Sequence, residues 1–272
     1  MRNKKLLFVD LDDTILKDDG SISAENRKSV QLLLEQENYI AFATGRPADS
    51  ARKIINNLGL MNPGCYIVAY NGALLYDCSA DRILFERTIP VQDVYRLFSN
   101  AHDKGIYIQT YSNNGILTDN RTKELNFYLS RSRMPYKIVP DIESGLISEP
   151  NKVLLINLED PKVLIDFETE NESWTADRLS SVFTNDIFLE YMPLGIHKGS
   201  GIEYFCRLLN IPHENTIAIG NERNDLPMLK KAKLGVAMKN AAPELKEVAD
   251  YITASDNNSD GVAEVINKFV LE

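Results

Sequence analysis

Short apolar runs alternate with amphipathic segments near both ends of the chain. The apolar runs cover residues 6–9, 39–43, 66–70, 216–219 and 234–238. Between them, apolar residues recur at the spacing of three and four that predicts helices, as at Val30, Leu33 and Leu34. Strands that alternate with helices pack as a parallel sheet with right-handed crossovers. The pattern therefore predicts an α/β core with a Rossmann-like, doubly wound parallel sheet.

Signals at the helix ends support these boundaries. Ser23 is placed to cap the helix that follows it, and Glu25 lies in the first turn, where a carboxylate suits the helix dipole. Gly59 is placed to end the next helix, because glycine readily adopts the left-handed conformation that closes a helix.

The middle of the chain shows a different pattern, which begins after about residue 80. Strands are predicted at 83–89, 106–111, 116–118, 153–158 and 187–192, and helices at 91–104 and 163–170. The tetrapeptide Ser112-Asn113-Asn114-Gly115 predicts a hairpin turn, whereas 175–186 shows no clear strand register. Many short strands with few helices favour an α+β module with an antiparallel sheet.

We therefore predict two domains, which a length of 272 residues also fits. The core domain covers 1–82 and 193–272, and the inserted α+β domain covers 83–192. Asn71-Gly72 and Pro193-Leu194-Gly195 lie near the two expected hinges.

Composition narrows the class of partner and the compartment. The formal net charge of -9 argues against nucleic acid or an anionic membrane as the main partner. No apolar run approaches the roughly 20 residues of a membrane helix, and the run after the basic residues 1–5 stops at Asp10, too early for a signal peptide. Cys65, Cys78 and Cys206 lack paired spacing, which fits a reducing cytoplasm. We expect a cytoplasmic monomer or homodimer.

Polar residues follow the ends of the first three predicted strands. Asp10, Asp12 and Asp13 end the first strand, Thr44 follows the second and Asn71 follows the third. Ligands bind beyond the carboxyl ends of strands in open α/β sheets, so these side chains are expected to gather. Acids that end a buried strand are costly unless a divalent cation compensates, and a solvated turn is the alternative.

Four motifs stand in order at predicted strand ends and helix starts. They are Asp10-Leu11-Asp12-Asp13-Thr14, Thr44-Gly45-Arg46, Lys198-Gly199-Ser200-Gly201 and Gly220-Asn221-Glu222-Arg223-Asn224-Asp225. Together they resemble the haloacid dehalogenase superfamily of phosphohydrolases, of the Cof-like type with a large cap between the second and third motifs. The resemblance spans nearly the whole chain. It implies a Mg²⁺-dependent phosphatase of small phosphorylated metabolites, such as sugar phosphates or phosphorylated cofactors.

The resemblance implies roles for the first motif. Asp10 is the nucleophile that forms an aspartyl-phosphate. Asp12 protonates the leaving oxygen and later takes a proton from water, with a second side-chain metal ligand as the alternative. Mg²⁺ in this family sits on a carboxylate oxygen of Asp10 and the backbone carbonyl of Asp12. We interpret Asp13 as a turn residue or outer acid, and Thr14 as a cap or a helper in the acid loop.

Thr44, Gly45, Lys198 and Asn224 are the expected phosphate-binding residues. The Thr44 hydroxyl either donates to a phosphate oxygen or caps a helix, and Gly45 lets the backbone approach closely. Lys198 lies beside a helix N-terminus and balances the charge of the phosphoryl group and of Asp10, with a solvated lysine as the alternative. Asn224 bonds the phosphate or orients Lys198.

The remainder of the substrate has four candidate contacts, namely Arg46, Asn71, Gly72 and His197. Arg46 either touches the substrate or pairs with a core acid, and His197 lies at a hinge. We interpret His102 and His213 as ordinary surface residues. Four tyrosines of the insert either line a cap surface or simply pack, namely Tyr107, Tyr111, Tyr128 and Tyr136.

The fourth motif departs from the family pattern. Relatives carry a metal-ligating aspartate where this chain has Asn221. An amide oxygen still ligates Mg²⁺ but brings no charge, so we expect Asp225 to supply charge directly or through a water. The predicted ligands are Asp10, Asp12, Asn221 and Asp225, and weaker Mg²⁺ binding is expected.

Three other functions stay open at this point. A phosphomutase would transfer the phosphate to substrate instead of water. A protein with weakened metal binding would be a catalytically weak metabolite-binding or regulatory module. A receiver-like phosphoacceptor domain also uses an acidic strand end and a lysine. It does not require the inserted domain, however, and the spacing of Asp10 and Asp12 fits hydrolysis better.

Overall fold

The structure, a computed structural model, describes residues 4–112, 115–132 and 134–271. Contacts between residues divide the chain into two units. One unit is Glu86–Ile196, and the other consists of the chain before and after that segment. These units begin and end a few residues from the expected domain bounds of 83–192, and the bounds themselves stay a prediction.

The first part of the chain forms five strands and two helices among the described residues. They are β1 (Leu6–Asp10), α1 (Ala24–Glu35), β2 (Tyr39–Ala43), α2 (Ala48–Asn57), β3 (Cys65–Ala69), β4 (Leu74–Asp77) and β5 (Arg82–Glu86). The predicted helix ends are confirmed. Ser23 accepts a hydrogen bond from the backbone N–H of Asn26 at the start of α1, and Gly59 follows α2 with φ +71°.

The segment from Glu86 to Ile196 forms a second, α+β unit. Its elements are α3 (Val91–Asp103), β6 (Tyr107–Ser112), β7 (Gly115–Thr118), α4 (Lys123–Ser132), β8 (Tyr136–Ile138), α5 (Ile142–Gly145), β9 (Val153–Ile156), α6 (Pro161–Thr175), β10 (Leu179–Asn185) and β11 (Phe188–Pro193). Among the described residues, six strands pair in the order β10-β11-β9-β6-β7-β8. All pairs are antiparallel except β7 with β8, which is parallel.

Part of the predicted hairpin turn in this unit lies outside the described residues. Asn113 and Asn114 are outside the described residues, but Ser112 pairs with Gly115 across β6 and β7. Sequence reasoning missed α4 and β8, since only Leu125 of α4 is buried and β8 is exposed throughout. Both therefore lack the apolar periodicity that reveals an element.

One face of this second sheet carries the apolar core of the unit. Leu97 and Phe98 of α3 and Phe167 of α6 pack with Val153 and Leu189 of the strands, and all five are at most 1% exposed. Apolar burial of this extent is the main source of stability for the unit.

Several tyrosines of the same unit take part in a chain of side-chain hydrogen bonds. The predicted packing role fits three of the tyrosines. Tyr107 donates to Gln109, Gln109 donates to Tyr111, and Tyr111 shares a hydrogen bond with Tyr128. Tyr136 is exposed instead. Such bonds offset the free-energy cost of removing hydroxyl and amide groups from water.

The last part of the chain returns to the α/β pattern. It contains α7 (Ser200–Leu209), β12 (Thr216–Gly220), α8 (Leu226–Lys231), β13 (Leu234–Ala237), α9 (Pro243–Val248), β14 (Tyr251–Ile252) and α10 (Gly261–Ile266). Among the residues described, eight strands form one sheet in the order β14-β13-β12-β1-β2-β3-β4-β5. The strands from β14 to β3 run parallel, and β4 is antiparallel to β3. The predicted α/β core with a parallel sheet is confirmed.

The far edge of this sheet differs from the sequence reading. The strand predicted at 83–89 is β5, and it belongs to the first sheet rather than opening the inserted domain. Sequence reasoning also missed β4, because its few residues follow closely on the chain reversal at Tyr70–Gly72.

The strand order brings distant parts of the chain together. β1 lies between β12 and β2, with Phe8 aligned to Ala218 on one side and Ala41 on the other. The carboxyl ends of β12, β1, β2 and β3 therefore share one edge of the sheet. Within the described residues, no helix combines the length and apolarity needed to cross a bilayer.

The core of the first unit depends on aromatic packing beneath α7. Phe205 is fully buried, and its ring centroid lies 6.1 Å from that of Phe8 and 4.7 Å from that of Tyr66. Leu208 lies on the same helix but is 49% exposed.

We therefore expect Phe205→Ala to lower the free energy of unfolding by about 3–5 kcal/mol, because it removes buried area and leaves a cavity. Leu208→Ala is the matched control and should cost less than about 1 kcal/mol. Urea denaturation followed by circular dichroism measures both. Equal losses for the two variants would show that the helix does not pack as described.

Candidate active site

The carboxyl edge of the first sheet gathers the residues that the four motifs supply. Asp10 is the last residue of β1, Thr44 follows β2, Asn71 follows β3 and Asn221 follows β12. All four are buried, with at most 4% of each residue exposed. Adjacent parallel strands explain this meeting, since their carboxyl ends lie at the same edge.

A buried lysine lies between two carboxylates at this edge. Lys198 Nζ donates to Asp10 Oδ1 and to Asp225 Oδ1, each at 2.7 Å. The three side chains are at most 6% exposed. The solvated-lysine alternative is therefore wrong, and Lys198 neutralises part of the charge that these acids bury.

Burial and charge act together on this group. Burial lowers the pKa of Lys198, but Asp10 and Asp225 raise it, and the net pKa lies above the usual value. Burial raises the pKa of Asp10, Lys198 lowers it, and Asp225 and Asp12 raise it, so that the net pKa lies above the usual value, at about 8. Two carboxylates share one ammonium group, so a further cation beside Asp10 would stabilise its ionised form.

Asp225 also organises the loop after β12. Its Oδ2 accepts hydrogen bonds from the backbone N–H groups of Asn221 and Glu222, at 3.0 and 3.1 Å. Gly220 leaves room for this arrangement, since a Cβ there would lie 2.5 Å from Asp225 Cβ. Metal ligation by Asp225 stays a prediction. In the structure, the Asp225 carboxylate binds Lys198 and two backbone N–H groups of this loop.

Glu222 is a residue to which sequence reasoning gave no role. Its side chain and that of Asp225 form a reciprocal capping box around the short 3-10 turn Arg223–Asp225. The signal was available as two acids three positions apart at a turn onset.

The Asn221 amide faces the first motif. One of the two terminal atoms of this amide, Oδ1 or Nδ2, lies 2.9 Å from Thr14 Oγ1, 3.2 Å from Asp10 Oδ2 and 3.3 Å from the carbonyl oxygen of Asp12. Carboxylate and carbonyl oxygens only accept hydrogen bonds, so the group directed at them is the NH₂. Thr14 is fully buried here and supports the acid loop, as one of its two predicted roles implies.

Arg46 and Asp12 form a two-pronged ion pair. Arg46 Nε and Nη2 donate to the two carboxylate oxygens of Asp12, both at 2.7 Å. Of the two roles considered for Arg46, the structure contains the pairing with an acid, and contact with a substrate stays a prediction. Planar pairs of this kind fix the geometry of both side chains.

Thr44 does not cap the helix that follows it. The N-cap of α2 is Pro47, and Thr44 Oγ1 accepts a hydrogen bond from the backbone N–H of Arg46 at 3.1 Å. The helix-cap alternative is therefore wrong. A hydroxyl that accepts this bond can still donate its own proton to a phosphate oxygen.

The loop after β3 is bound closely to two other motifs. Asn224 Nδ2 donates to Asn71 Oδ1 at 3.2 Å, and a Cβ at Gly45 would lie 3.2 Å from the same oxygen. Gly72 has φ +105°, and a Cβ there would lie 2.4 Å from the carbonyl oxygen of His197. Asn224 thus contacts Asn71, whereas its predicted bond to phosphate or orientation of Lys198 stays a prediction.

Each of the three histidines has its own neighbours in the structure. Burial and the charge of Lys231 lower the pKa of His197, whereas Glu203 raises it. His102 contacts Asp119, and His213 contacts the carbonyl oxygen of Lys231. Both His102 and His213 are exposed, which agrees with their interpretation as ordinary surface residues. Substrate contact by His197 stays a prediction.

The donor set suits a hard divalent cation. Asp10 Oδ2 and the Asp12 carbonyl oxygen lie on either side of the Asn221 amide, and Mg²⁺ prefers oxygen ligands with several waters. The amide would add a third oxygen once it turned its Oδ1 toward the same point. Across the described part of the chain, no group of three His, Cys, Asp or Glu side chains forms a metal cluster. A cation here would therefore rely on carbonyl and amide oxygens as well as on carboxylate.

Comparison with known proteins shows one family over nearly the whole length. The sequence profile of a family described as haloacid dehalogenase-like hydrolase matches residues 7–266. The 5-amino-6-(5-phospho-D-ribitylamino)uracil phosphatase of Bacillus subtilis (strain 168) is 29% identical over 272 residues, which cover 98% of this chain and 96% of that protein.

Solved structures give the same result. A haloacid dehalogenase-like hydrolase from Bacteroides thetaiotaomicron is 30% identical with a TM-score of 0.87, and the match covers 97% of this chain and 99% of that one. A protein from Thermotoga maritima is 25% identical with a TM-score of 0.82, and the match covers 97% of each chain. Fold and family predictions are both confirmed.

We expect Lys198→Met to lower the free energy of unfolding by about 3–5 kcal/mol, because it leaves Asp10 and Asp225 buried without a counter-charge. Lys162→Met is the matched control, since Lys162 pairs with Asp166 on the exposed surface of α6. That substitution should cost about 0–1 kcal/mol. Urea denaturation measures both, and similar costs would contradict a buried, charge-balancing Lys198.

Proposed function

We propose that this chain, which belongs to the haloacid dehalogenase-like hydrolase family, is a Mg²⁺-dependent phosphatase of small phosphorylated metabolites. It would work through an aspartyl-phosphate on Asp10. The observation that supports this most is the Asp10 carboxylate, which is fixed at a strand end by Lys198 with a second acid, Asp12, two residues away.

In the first half-reaction, a carboxylate oxygen of Asp10 attacks phosphorus. A new bond forms between that oxygen and phosphorus, and the bond from phosphorus to the leaving alcohol oxygen breaks. Asp12 gives a proton to the leaving oxygen, so that an alcohol departs rather than an alkoxide. Lys198 stays beside Asp10 and offsets negative charge as the phosphoryl group arrives.

In the second half-reaction, water attacks the phosphorus of the aspartyl-phosphate. Asp12, now a carboxylate, takes a proton from that water as the new oxygen–phosphorus bond forms. The bond between phosphorus and the Asp10 oxygen breaks, which releases inorganic phosphate and restores the carboxylate. Two easier steps thereby replace one difficult displacement.

Arg46 is proposed as the residue that positions Asp12. The guanidinium occupies both carboxylate oxygens of Asp12, so Asp12 must leave this pair before one of them can pass a proton to the leaving oxygen. Arrival of an anionic substrate, which also attracts Arg46, would release Asp12.

Mg²⁺ is proposed to be held by Asp10, the carbonyl of Asp12 and Asn221, with Asp225 nearby. When bound it would neutralise charge so that a carboxylate and a phosphate can meet. Thr44, Gly45 and Asn224 lie at the same edge and are proposed to contact the phosphoryl oxygens.

The substrate is proposed to be a phosphate monoester of a small polyol, sugar or cofactor-like molecule. The similarity to a phosphatase named for a phosphorylated ribitylamino-uracil supports that size class. The unit Glu86–Ile196 is proposed to be the cap that selects the substrate, with Asn71, Gly72 and His197 as further contacts. A net charge of -9 gives no support to a nucleic-acid substrate.

We expect Asp10→Asn to reduce hydrolysis of p-nitrophenyl phosphate by about 10³-fold or more, because an amide is a poor nucleophile. Asp13→Asn is the matched control in the same acidic run, and at φ +55° an asparagine fits well. That variant should keep most of the activity. Steady-state release of nitrophenol measures both, and equal activity of Asp10→Asn and the unchanged protein would end the proposal.

Removal of divalent cations tests the cofactor directly. Treatment with EDTA should abolish turnover, and added Mg²⁺ should restore it, since the site holds a surplus of negative charge. Phosphate release in EDTA-treated protein, with and without Mg²⁺, is the measurement. Undiminished turnover in EDTA would contradict the Mg²⁺ requirement while leaving the nucleophile untouched.

A further inference from the structure

The side-chain amide of Asn221 occupies an unusual position for a residue that would ligate a metal through oxygen. Asn221 is 4% exposed, and one terminal atom of its amide, Oδ1 or Nδ2, faces three oxygens of the first motif. With Oδ1 in that position, the oxygen would accept one hydrogen bond, from the Thr14 hydroxyl, but it would also face a carboxylate and a carbonyl, neither of which can donate. With Nδ2 there, two N–H groups are directed among three acceptors, so the NH₂ orientation is favoured.

Two of those acceptors are also the oxygens proposed for Mg²⁺. They are Asp10 Oδ2 and the carbonyl oxygen of Asp12, at 3.2 and 3.3 Å from the amide. An N–H donor and a metal ion cannot use the same lone pairs at once. The amide therefore competes with the cation in this orientation, and supports it only after the amide has turned to present Oδ1.

We propose that Asn221 is a two-position residue whose NH₂ group replaces the cation whenever Mg²⁺ is absent. This inference rests on the proposed Mg²⁺ site. In one position the amide donates to Asp10 and to the Asp12 carbonyl, and it holds the first motif in place. In the other position the amide is turned by half a rotation, and its oxygen faces the metal.

The charge at position 221 makes this proposal specific. An aspartate there would place a second carboxylate about as close to Asp10 Oδ2 as the amide is now, and the like charges would repel without a cation. Asn221 avoids that repulsion and adds a hydrogen bond instead. The chain should therefore depend less on Mg²⁺ for stability than a variant with aspartate, and should bind Mg²⁺ more weakly.

Asn221→Asp is the informative substitution, and Asn171→Asp is its matched control. Asn171 is also 4% exposed, and its Nδ2 donates to the carbonyl oxygen of Phe167 in α6. Both substitutions bury a new charge, but only the one at position 221 puts that charge beside the proposed cation.

Melting temperature in EDTA and in Mg²⁺, together with calorimetric titration of Mg²⁺, tests the proposal without any activity assay. In EDTA, Asn221→Asp should melt below the unchanged protein. In Mg²⁺ it should recover that loss, and its Kd for Mg²⁺ should be tighter on the order of tenfold or more, since ligand charge tunes affinity. Asn171→Asp should melt lower in both conditions and keep the Kd of the unchanged protein.

A spectroscopic signal reports the amide itself. In ¹⁵N-labelled protein, the side-chain NH₂ resonances of Asn221, assigned by their loss in Asn221→Asp, should shift as Mg²⁺ is added, because the hydrogen bonds to Asp10 and Asp12 are given up. Unshifted resonances under saturating Mg²⁺ would overturn the proposal.

Failure of this proposal is distinguishable from failure of the proposed function. Equal Mg²⁺ affinity and equal melting behaviour of Asn221→Asp and the unchanged protein, with Mg²⁺-dependent hydrolysis intact, would overturn the two-position amide alone. Absence of both Mg²⁺ binding and hydrolysis in the unchanged protein would overturn the proposed function and this inference together.

Discussion

The ion pairs of Lys198 with Asp10 and Asp225 set the requirements for the rest of the first unit. Lys198 and Asp10 are 188 residues apart in sequence, yet their side chains meet at 2.7 Å with almost no exposure. Charges buried this deeply destabilise a protein unless each has a well-placed partner. The position of β1 between β12 and β2, and the start of α7 beside them, supply those partners.

The loops around these ion pairs also help to place the partners of the buried charges. Gly220 admits the Asp225 side chain, and Gly72 admits the chain that leads into α7. The backbone N–H groups of Asn221 and Glu222 donate to Asp225, which fixes the acid that in turn holds the lysine. Catalysis of phosphoryl transfer depends largely on such fixed charges, so the demands of folding and of the proposed chemistry coincide here.

Much of this could be predicted from sequence because it depends on strong local signals. Apolar runs such as 6–9 are strands buried on both faces, and polar residues at their ends must meet in a parallel sheet. Ser23 and Gly59 mark helix ends by their own side-chain and backbone chemistry. The acids, the lysine and the fold class could be predicted for these reasons.

Other features depend on contacts that a linear pattern does not contain. Sequence left the two roles of Arg46 equally open, because either a substrate or Asp12 satisfies a guanidinium. The strand β5 was assigned to the inserted domain, since pairing with β4 is a matter of tertiary position. The orientation of the Asn221 amide follows from three oxygens that arrive from another motif, so only the folded structure reveals it.

Chemical trapping of residue 10 during turnover tests the central claim most directly. Acid-quenched protein, mixed beforehand with a phosphate monoester and Mg²⁺, is reduced with borohydride and its peptides are analysed by mass spectrometry. Borohydride converts an acyl phosphate of aspartate into homoserine, so the peptide that contains Asp10 should carry homoserine at that position only when substrate was present. A peptide that keeps unmodified aspartate while phosphate is being released would contradict a covalent intermediate on Asp10.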